Sequence, residues 1–221
     1  MKARRYAVTL KGETPILMHA DNVEWTDYLS AWKKDPANKG KSVPGDDRTP
    51  PFTWIGYLYH ENGKVVIPSD NLMTVLREGG AKVLTGKGQK TFKAQSQSGI
   101  VVDQSGWDLI VDGNEISYRE LKGLIGEPDF NAHKQAAVDM GFELFVKRAS
   151  VGTSKHVRVR PRFDKWECSG TITVLDDAIT TSVLRDILTF AGVYCGMCDW
   201  RPSSKTPGSF GKFTAEIAEV K

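Results

Sequence analysis

The 221-residue sequence is poor in cysteine, with only three. An odd number argues against a disulfide framework and for a reducing, cytoplasmic compartment. Cys195 and Cys198 have Cys-x-x-Cys spacing, but a structural zinc takes four ligands. Only Cys168 and four scattered histidines remain to complete such a set. No His-x-Glu occurs and no proline precedes Cys195, so the zinc-deaminase pattern is absent too. Neither a metal nor another cofactor is expected, and the thiols read as small buried hydrophobes.

Long apolar runs are missing, which excludes a membrane-spanning helix. The basic stretch Met1–Arg5 leads into an alternating segment rather than an apolar signal core, so export is not expected. A phosphate-binding Gly-x-x-x-x-Gly-Lys-Ser/Thr loop is lacking, since Lys82–Gly88 has the wrong spacing. No nucleophile motif with recognisable local context occurs either. Charge of one sign is also short: 30 Lys and Arg stand against 27 Asp and Glu. A net +3 names no polyanionic partner by itself, so the distribution along the chain has to decide.

Strand and helix signals are plentiful. Arg5–Lys11 alternates with period 2 and ends at Gly12. Residues 20–52 then form a long insertion with four prolines, holding one short helix near Glu24–Lys33. On that helix Trp25, Tyr28, Leu29 and Trp32 are spaced to form one sticky face. Ile55–His60 and Lys64–Ile67 flank Asn62-Gly63, a strong hairpin signal. Ser69 or Asp70 is expected to cap a helix with Leu72, Val75 and Leu76 on one face, stopped by Gly79-Gly80. Residues 82–98 read as a basic loop. Strands are expected near 107–111, 142–147, 156–160, 166–174 and 213–220, with short helical turns over 118–124. Asp176 or Asp177 should cap a helix whose apolar positions run from 179 to 191. The fold class is therefore α+β: a ferredoxin-like or RRM-like antiparallel sheet, two helices on one face, and a long insertion after the first strand, in a single domain over 1–221.

Charge is locally uneven. Between Lys147 and Lys165 seven Lys and Arg meet one acid, Asp164. Within it His156, Arg158 and Arg160 alternate with valines, so a strand puts them on one face, outside the core. Residues 101–130 are the reverse, with seven acids against Arg119 and Lys122. That acidic stretch is a candidate contact for a neighbouring copy. Basic stretches interleaved with aromatics have the physics of single-strand binding, through phosphate neutralisation and base stacking. The nucleic-acid contacts assigned on this basis are Lys87, Lys90, Lys93, Lys155, His156, Arg158, Arg160, Arg162, Trp200, Arg201, Lys205 and Lys212. The glycines at 196, 208 and 211 are expected to let backbone approach a partner. Of the histidines, His19 is the first candidate for acid–base work, ahead of His60, His133 and His156.

Tyr6–Leu10 with Gly12, Thr14–Leu17, and Ile67–Leu72 opening a helix that ends Leu76-Arg77 together resemble the RAMP (repeat-associated mysterious protein) superfamily. Within it the likeness is to CRISPR backbone subunits that polymerise along guide RNA. The stretches Cys198–Pro202 and Gly208–Phe213 also resemble uncharacterised phage and prophage proteins. The resemblance implies a modified RNA-recognition sheet, residues 20–52 as a thumb, the basic loop as a palm or finger, and side-by-side assembly on one strand, RNA rather than DNA. Expected partners are then single-stranded nucleic acid, copies of the same chain and other subunits of a ribonucleoprotein complex, with no membrane. No cutting activity carries over. Two alternatives stay open: a metal-independent endoribonuclease of the same superfamily, using His19 or His60, and a phage structural or interaction protein.

Overall fold

A computed structural model describes residues 3–220 except residue 153; Met1 and Lys2, part of the basic N-terminus, lie outside the described residues. The strands in chain order are β1 (Arg4–Gly12), β2 (Ile16–Leu17), β3 (His60–Glu61), β4 (Lys64–Pro68), β5 (Ile100–Val102) and β6 (Gly106–Asp108). They continue with β7 (Ile110–Val111), β8 (Asn114–Glu115), β9 (Glu143–Val151), β10 (Ser154–Phe163), β11 (Trp166–Val174) and β12 (Phe213–Val220). The α-helices are α1 (Val23–Lys34), α2 (Ser69–Gly80), α3 (Lys93–Gly99), α4 (Tyr118–Lys122), α5 (Phe130–Asp139) and α6 (Thr181–Phe190). The fold is α+β with antiparallel sheets.

The chain divides into two compact units. The first comprises Met1–Ile16, Val66–Glu115 and Asp164–Lys221. Its main sheet runs β12-β1-β11, with β5 pairing the far edge of β11, and every pairing is antiparallel. With α2 between β1 and β5, and α6 between β11 and β12, this is the split βαβ arrangement of a ferredoxin-like unit. Alternation in β1 buries Tyr6, Val8 and Leu10, and β11 buries Cys168, Ile172 and Val174 beside them. Leu72, Val75 and Leu76 of α2 and Leu184, Ile187 and Leu188 of α6 complete this core. Each such side chain contributes about 1.5–3 kcal/mol relative to staying exposed. The Tyr6 hydroxyl lies 2.9 Å from Thr181 Oγ1, tying α6 to the sheet.

Several helix signals resolve differently from expectation. The helix α2 has Pro68 at its N-cap position and no side-chain cap, so that Ser69 and Asp70 lie inside the helix rather than capping it. Gly79 and Gly80 belong to α2 rather than stopping it: a Cβ on Gly79 would strike the Ile187 carbonyl and Ala191, and one on Gly80 would strike Ser96. They are glycine because two helices approach there. α6 is capped by Thr180, whose side chain accepts from the Val183 N–H at 3.3 Å, not by Asp176 or Asp177. The segment read as a basic loop is likewise helical from Lys93 on.

The second unit comprises Leu17–Val65 and Ile116–Phe163. It is thus built from two insertions into the ferredoxin-like order, of which only the first was expected. β9 and β10 form a long hairpin, with β2 on the other edge of β10. α1 begins at Asn22, whose Oδ1 accepts from the Glu24 N–H. Its Trp25 is buried against Gly56 and Phe52 and donates to the Tyr118 hydroxyl at 2.6 Å. One residue of the expected sticky face is therefore committed inside the unit itself. Pro51–Tyr57 is a buried 3₁₀ segment rather than a strand, since prolines at its start remove ladder donors. Trp54 there donates to His133 Nδ1 at 3.2 Å, and His133 Nε2 meets the Glu127 carbonyl at 3.0 Å. His133 sits on α5, a helix the sequence reading missed because only His133 and Ala137 of it are buried. The Asn62-Gly63 turn adopts positive φ at both residues and joins β3 to β4 as expected. Among the described residues no helix is long and apolar enough to cross a membrane.

Candidate nucleic-acid interface

In the second unit, Leu144–Phe163 holds six Lys and Arg, one histidine and no acid within 20 residues. The strand register sets His156 opposite Ala149, Arg158 opposite Lys147, and Arg160 opposite Phe145, all on one face. Arg148 and Lys155 point to the other face, with Val157 and Val159. Lys147, Arg148 and Lys155 are exposed along the outer half of the hairpin, and Lys155 Nζ reaches the Ser150 hydroxyl at 3.0 Å.

The inner half is different. The loop before the 3₁₀ segment lays Asp47, 6% exposed, against the arginine face. Its two oxygens accept from Arg158 Nη1 and Arg160 Nη1, each at 3.1 Å, and from the Val159 N–H at 3.2 Å. Backbone bonds from Val157 N to the Gly45 carbonyl and from Asp47 N to the Val157 carbonyl pin the loop to β10. The Arg160 guanidinium also lies 4.4 Å from the centre of the Tyr57 ring. Burial, with the Asp47 charge added, raises the pKa of the Tyr57 hydroxyl. His156, Arg158 and Arg160 do share a face, as the alternation indicated, but that face is not outside the core. Arg160 is only 9% exposed, because β10 is the middle strand of its sheet and Asp47 is folded onto it. Arg160 is a structural residue.

Two cavities flank the same loop. One of about 300 Å³ is lined by Lys33, Tyr57, His156 and Arg158 together with loop residues 42–47, 49 and 50. Another, open and about 810 Å³, is lined by Trp32, Phe52 and Phe130, by Asn38, Asn131, Lys41 and Arg48, and by prolines 50, 51 and 128. Asp47, Lys33 and Tyr57 had no local sequence signal. Asp47 meets Arg160 across 113 positions, a separation no motif spans.

The remaining assigned residues fall as follows. Arg162 pairs with Glu143 at 2.7 Å. Lys87, Lys90, Lys93 and Lys205 belong to the first unit, are exposed, and make no side-chain ion pair among the described residues. Lys212 precedes β12 and is half-buried. Arg201 is bound in bidentate fashion by Glu78, at 2.6 and 3.1 Å, with the Ser203 hydroxyl bonded to both. Burial by itself would push Glu78 up, but the bonds from Arg201 and Ser203 win and hold its pKa below the ordinary glutamate value. Trp200 has φ of +49° and lies beside Phe210, ring centres 5.5 Å apart. A Cβ on Gly208 would strike Trp200, and one on Gly211 would strike the Met197 backbone. These glycines serve the loop's own close approaches rather than a ligand's.

The sheet face of the first unit away from α2 and α6 presents Arg5, Ala7, Thr9 and Lys11 of β1 and Glu167, Ser169, Thr171 and Thr173 of β11. No aromatic residue stands in these rows, so the stacking used by RNA-recognition sheets has no platform there. His19 is exposed and edge-on to Tyr57 at 4.9 Å. His60 is stacked on Tyr118 at 3.7 Å and bonded to Asn22, and burial lowers its pKa. Among the described residues no cluster of three or more His, Cys, Asp or Glu side chains is placed to hold a metal ion. Cys198 accepts from Asn71 at 3.4 Å, and burial pushes its thiol up to about 12.

No protein-family model matches the chain, and no curated protein matches it. Among solved structures, Cmr6 from Pyrococcus furiosus is similar at a TM-score of 0.38 and 10% identity, over 98% of this chain and 100% of that one.

Proposed function

We propose that the protein binds single-stranded nucleic acid along the β9–β10 hairpin of its second unit. The observation that carries this reading is the hairpin's outer half, which has no acid between Leu144 and Phe163 and keeps Lys147, Arg148 and Lys155 exposed. Phosphate neutralisation by such side chains is sequence-independent and releases counterions. The open groove with Trp32 and Phe130 offers faces on which a base stacks, at about 1–3 kcal/mol per base. RNA is the strand the sequence resemblance favours, and coating by several copies side by side belongs to the same expectation. The exposed Lys87, Lys90, Lys93 and Lys205 of the first unit are secondary phosphate contacts in this reading.

The test is fluorescence anisotropy with a short labelled RNA over a salt series. Replacing Arg148 and Lys155 with Ala should weaken binding of every sequence alike and flatten the salt slope by about 0.7 per phosphate contact removed. A double variant that binds with the parent's affinity and slope rules out the hairpin as the interface. Cleavage of the labelled RNA in the presence of a chelator would instead favour the ribonuclease alternative.

A further inference from the structure

We infer that the cavity of about 300 Å³ between α1 and β10 is a site for a phosphomonoester, that is, a terminal rather than an internal phosphate. The inference rests on the strand-binding reading only for the molecule that carries the group. Its basis is which charges in the lining are already committed. The lining has two acids, and both are held by partners other than a ligand. Asp46 is gripped by Arg48 through Nε, Nη2 and the backbone N–H, at 2.6 to 2.9 Å for the closest contacts. Asp47 is taken up by Arg158, Arg160 and the Val159 N–H.

The cations are in the opposite state. Among the described residues, neither Lys33 nor the His156 imidazole has a hydrogen-bond or ion-pair partner, though both line the cavity. Arg158 commits one nitrogen, Nη1, to Asp47 and keeps the rest of its donor fork. Three sets of donors, one from the last turn of α1 and two from β10, thus face one half-open cavity with no carboxylate left to satisfy them among the described residues. The space is also firmly built. The Gly45 and Asp46–Asp47 backbone is bonded to Val157, and the His156 ring abuts Gly45, where φ is +77°. Leu29, Pro44 and Pro50 add apolar wall, which strengthens the field of the cations.

The number and kind of donors select the ligand. A phosphomonoester carries about −1.5 to −2 charge at neutral pH and three strong acceptor oxygens. A carboxylate offers two oxygens and one charge. An internal phosphodiester also has one charge and two free oxygens, and the chain must leave on both sides. A terminal phosphate therefore matches lysine, histidine and arginine best. The same chemistry is presented by the end of a strand, by a free nucleoside monophosphate and by inorganic phosphate.

The experiment compares one short RNA in three forms, 5′-phosphorylated, 3′-phosphorylated and hydroxyl-ended, by anisotropy, with calorimetric titrations of AMP and inorganic phosphate. One phosphorylated form should bind about tenfold more tightly than the hydroxyl-ended strand, the scale of one charge-assisted hydrogen bond. Lys33→Ala and His156→Ala should each erase that preference, and Lys33→Ala should leave hydroxyl-ended binding unchanged. Lys33, exposed on the last turn of α1, carries the comparison alone should His156→Ala fail to fold. If the three strands bind equally and neither AMP nor inorganic phosphate binds, the site is not a phosphate site, while strand binding stands. If no strand binds but AMP or phosphate does, and Lys33→Ala abolishes it, the site holds for a free ligand and the strand reading falls.

Discussion

The sheet of the ferredoxin-like unit and the β9–β10 hairpin of the second unit treat their basic side chains differently. In the ferredoxin-like unit cations stand beside acids: Arg5 with Asp103 at 2.8 Å, Lys11 with Glu216 at 2.7 Å, and Arg201 with Glu78 at 2.6 Å. In the β9–β10 hairpin Arg158 and Arg160 converge on one carboxylate, while Arg148 and Lys155 have no acid beside them among the described residues. The density of Lys and Arg in a stretch therefore says little about ligand binding. What separates a structural cation from a ligand-ready one is whether an acid from elsewhere in the chain has been folded against it. The same contrast appears in the aromatic residues, which are missing from the open sheet rows of the first unit and line a groove in the second.

The largest effect should follow from breaking the shared carboxylate. Asp47→Ala leaves Arg160 buried without its counter-charge and is expected to cost about 3–5 kcal/mol, read from denaturant unfolding. Arg160→Ala should cost less, because Asp47 keeps Arg158 and the Val159 N–H and the main loss is the packing contact on Tyr57. Exposed ion pairs such as Lys11–Glu216 should change stability by less than about 1 kcal/mol when broken. If Asp47→Ala unfolds no earlier than Lys11→Ala, the distinction between the two units' charges does not hold.

That expectation reverses what the sequence by itself suggested for Arg158 and Arg160, and the reversal shows where sequence reading stops. Period-2 alternation placed His156, Arg158 and Arg160 on one face correctly, because a strand's geometry is local. Whether that face meets water is not local: it depends on a loop more than a hundred positions away. Of the βαββαβ order, β1, α2, β11, α6 and β12 were legible for the same reason, each carrying its own apolar period, whereas β5 at Ile100–Val102 was not among the expected strands. The second insertion was not legible, because β10 and β11 are separated only by Asp164 and Lys165, and nothing so short in the sequence marks a passage from one unit to the other. Cap and stop signals misled where a side chain had another employer: Gly79 serves a helix crossing, and the Asp176 side chain accepts from the Ala178 N–H in a turn ahead of α6.

A smaller loss is expected from Gly79→Ala, which sharpens the comparison from the side of the apolar core. The added methyl meets the Ile187 carbonyl and Ala191, so α2 and α6 must separate. Overpacking of this kind costs about 1–3 kcal/mol despite alanine's better helix propensity. Strand binding by the hairpin should be unaffected once the variant is folded. A variant more stable than the parent would show that the two helices have slack at that crossing.

The Glu78–Arg201 pair gives a pH-dependent test within the first unit. Glu78 has a folded-state pKa below its ordinary 4.5, through the bonds from Arg201 and Ser203 that outweigh its partial burial. A depressed carboxylate adds stability that is complete above the ordinary value and fades as pH falls through the folded one. Glu78→Gln should therefore lower the melting temperature at neutral pH by the equivalent of about 1–2 kcal/mol, and the gap to the parent should narrow on acidification below 4.5. A gap that stays constant down to strongly acid pH would assign the loss to packing rather than to charge.

The smallest stability change should come from Lys87, Lys90 and Lys93, three exposed lysines of the first unit. All three are exposed and without an ion pair among the described residues, so the triple alanine variant should melt within about 0.5 kcal/mol of the parent. Its value lies in binding. Gly86 and Gly88, at φ of +76° and +62° with nothing within 4 Å of an added Cβ, leave the lysine turn without packed neighbours at those two positions. The Lys87 and Lys90 side chains on so short and lightly packed a turn lose more freedom when they grip a phosphate than side chains on the long β9–β10 hairpin do. Removing all three should accordingly weaken RNA binding less than removing Arg148 and Lys155, with both measured in the same low-salt buffer. Should the lysine variant lose more affinity than the hairpin variant, the main strand-binding surface belongs to the ferredoxin-like unit and the order of the two units is inverted.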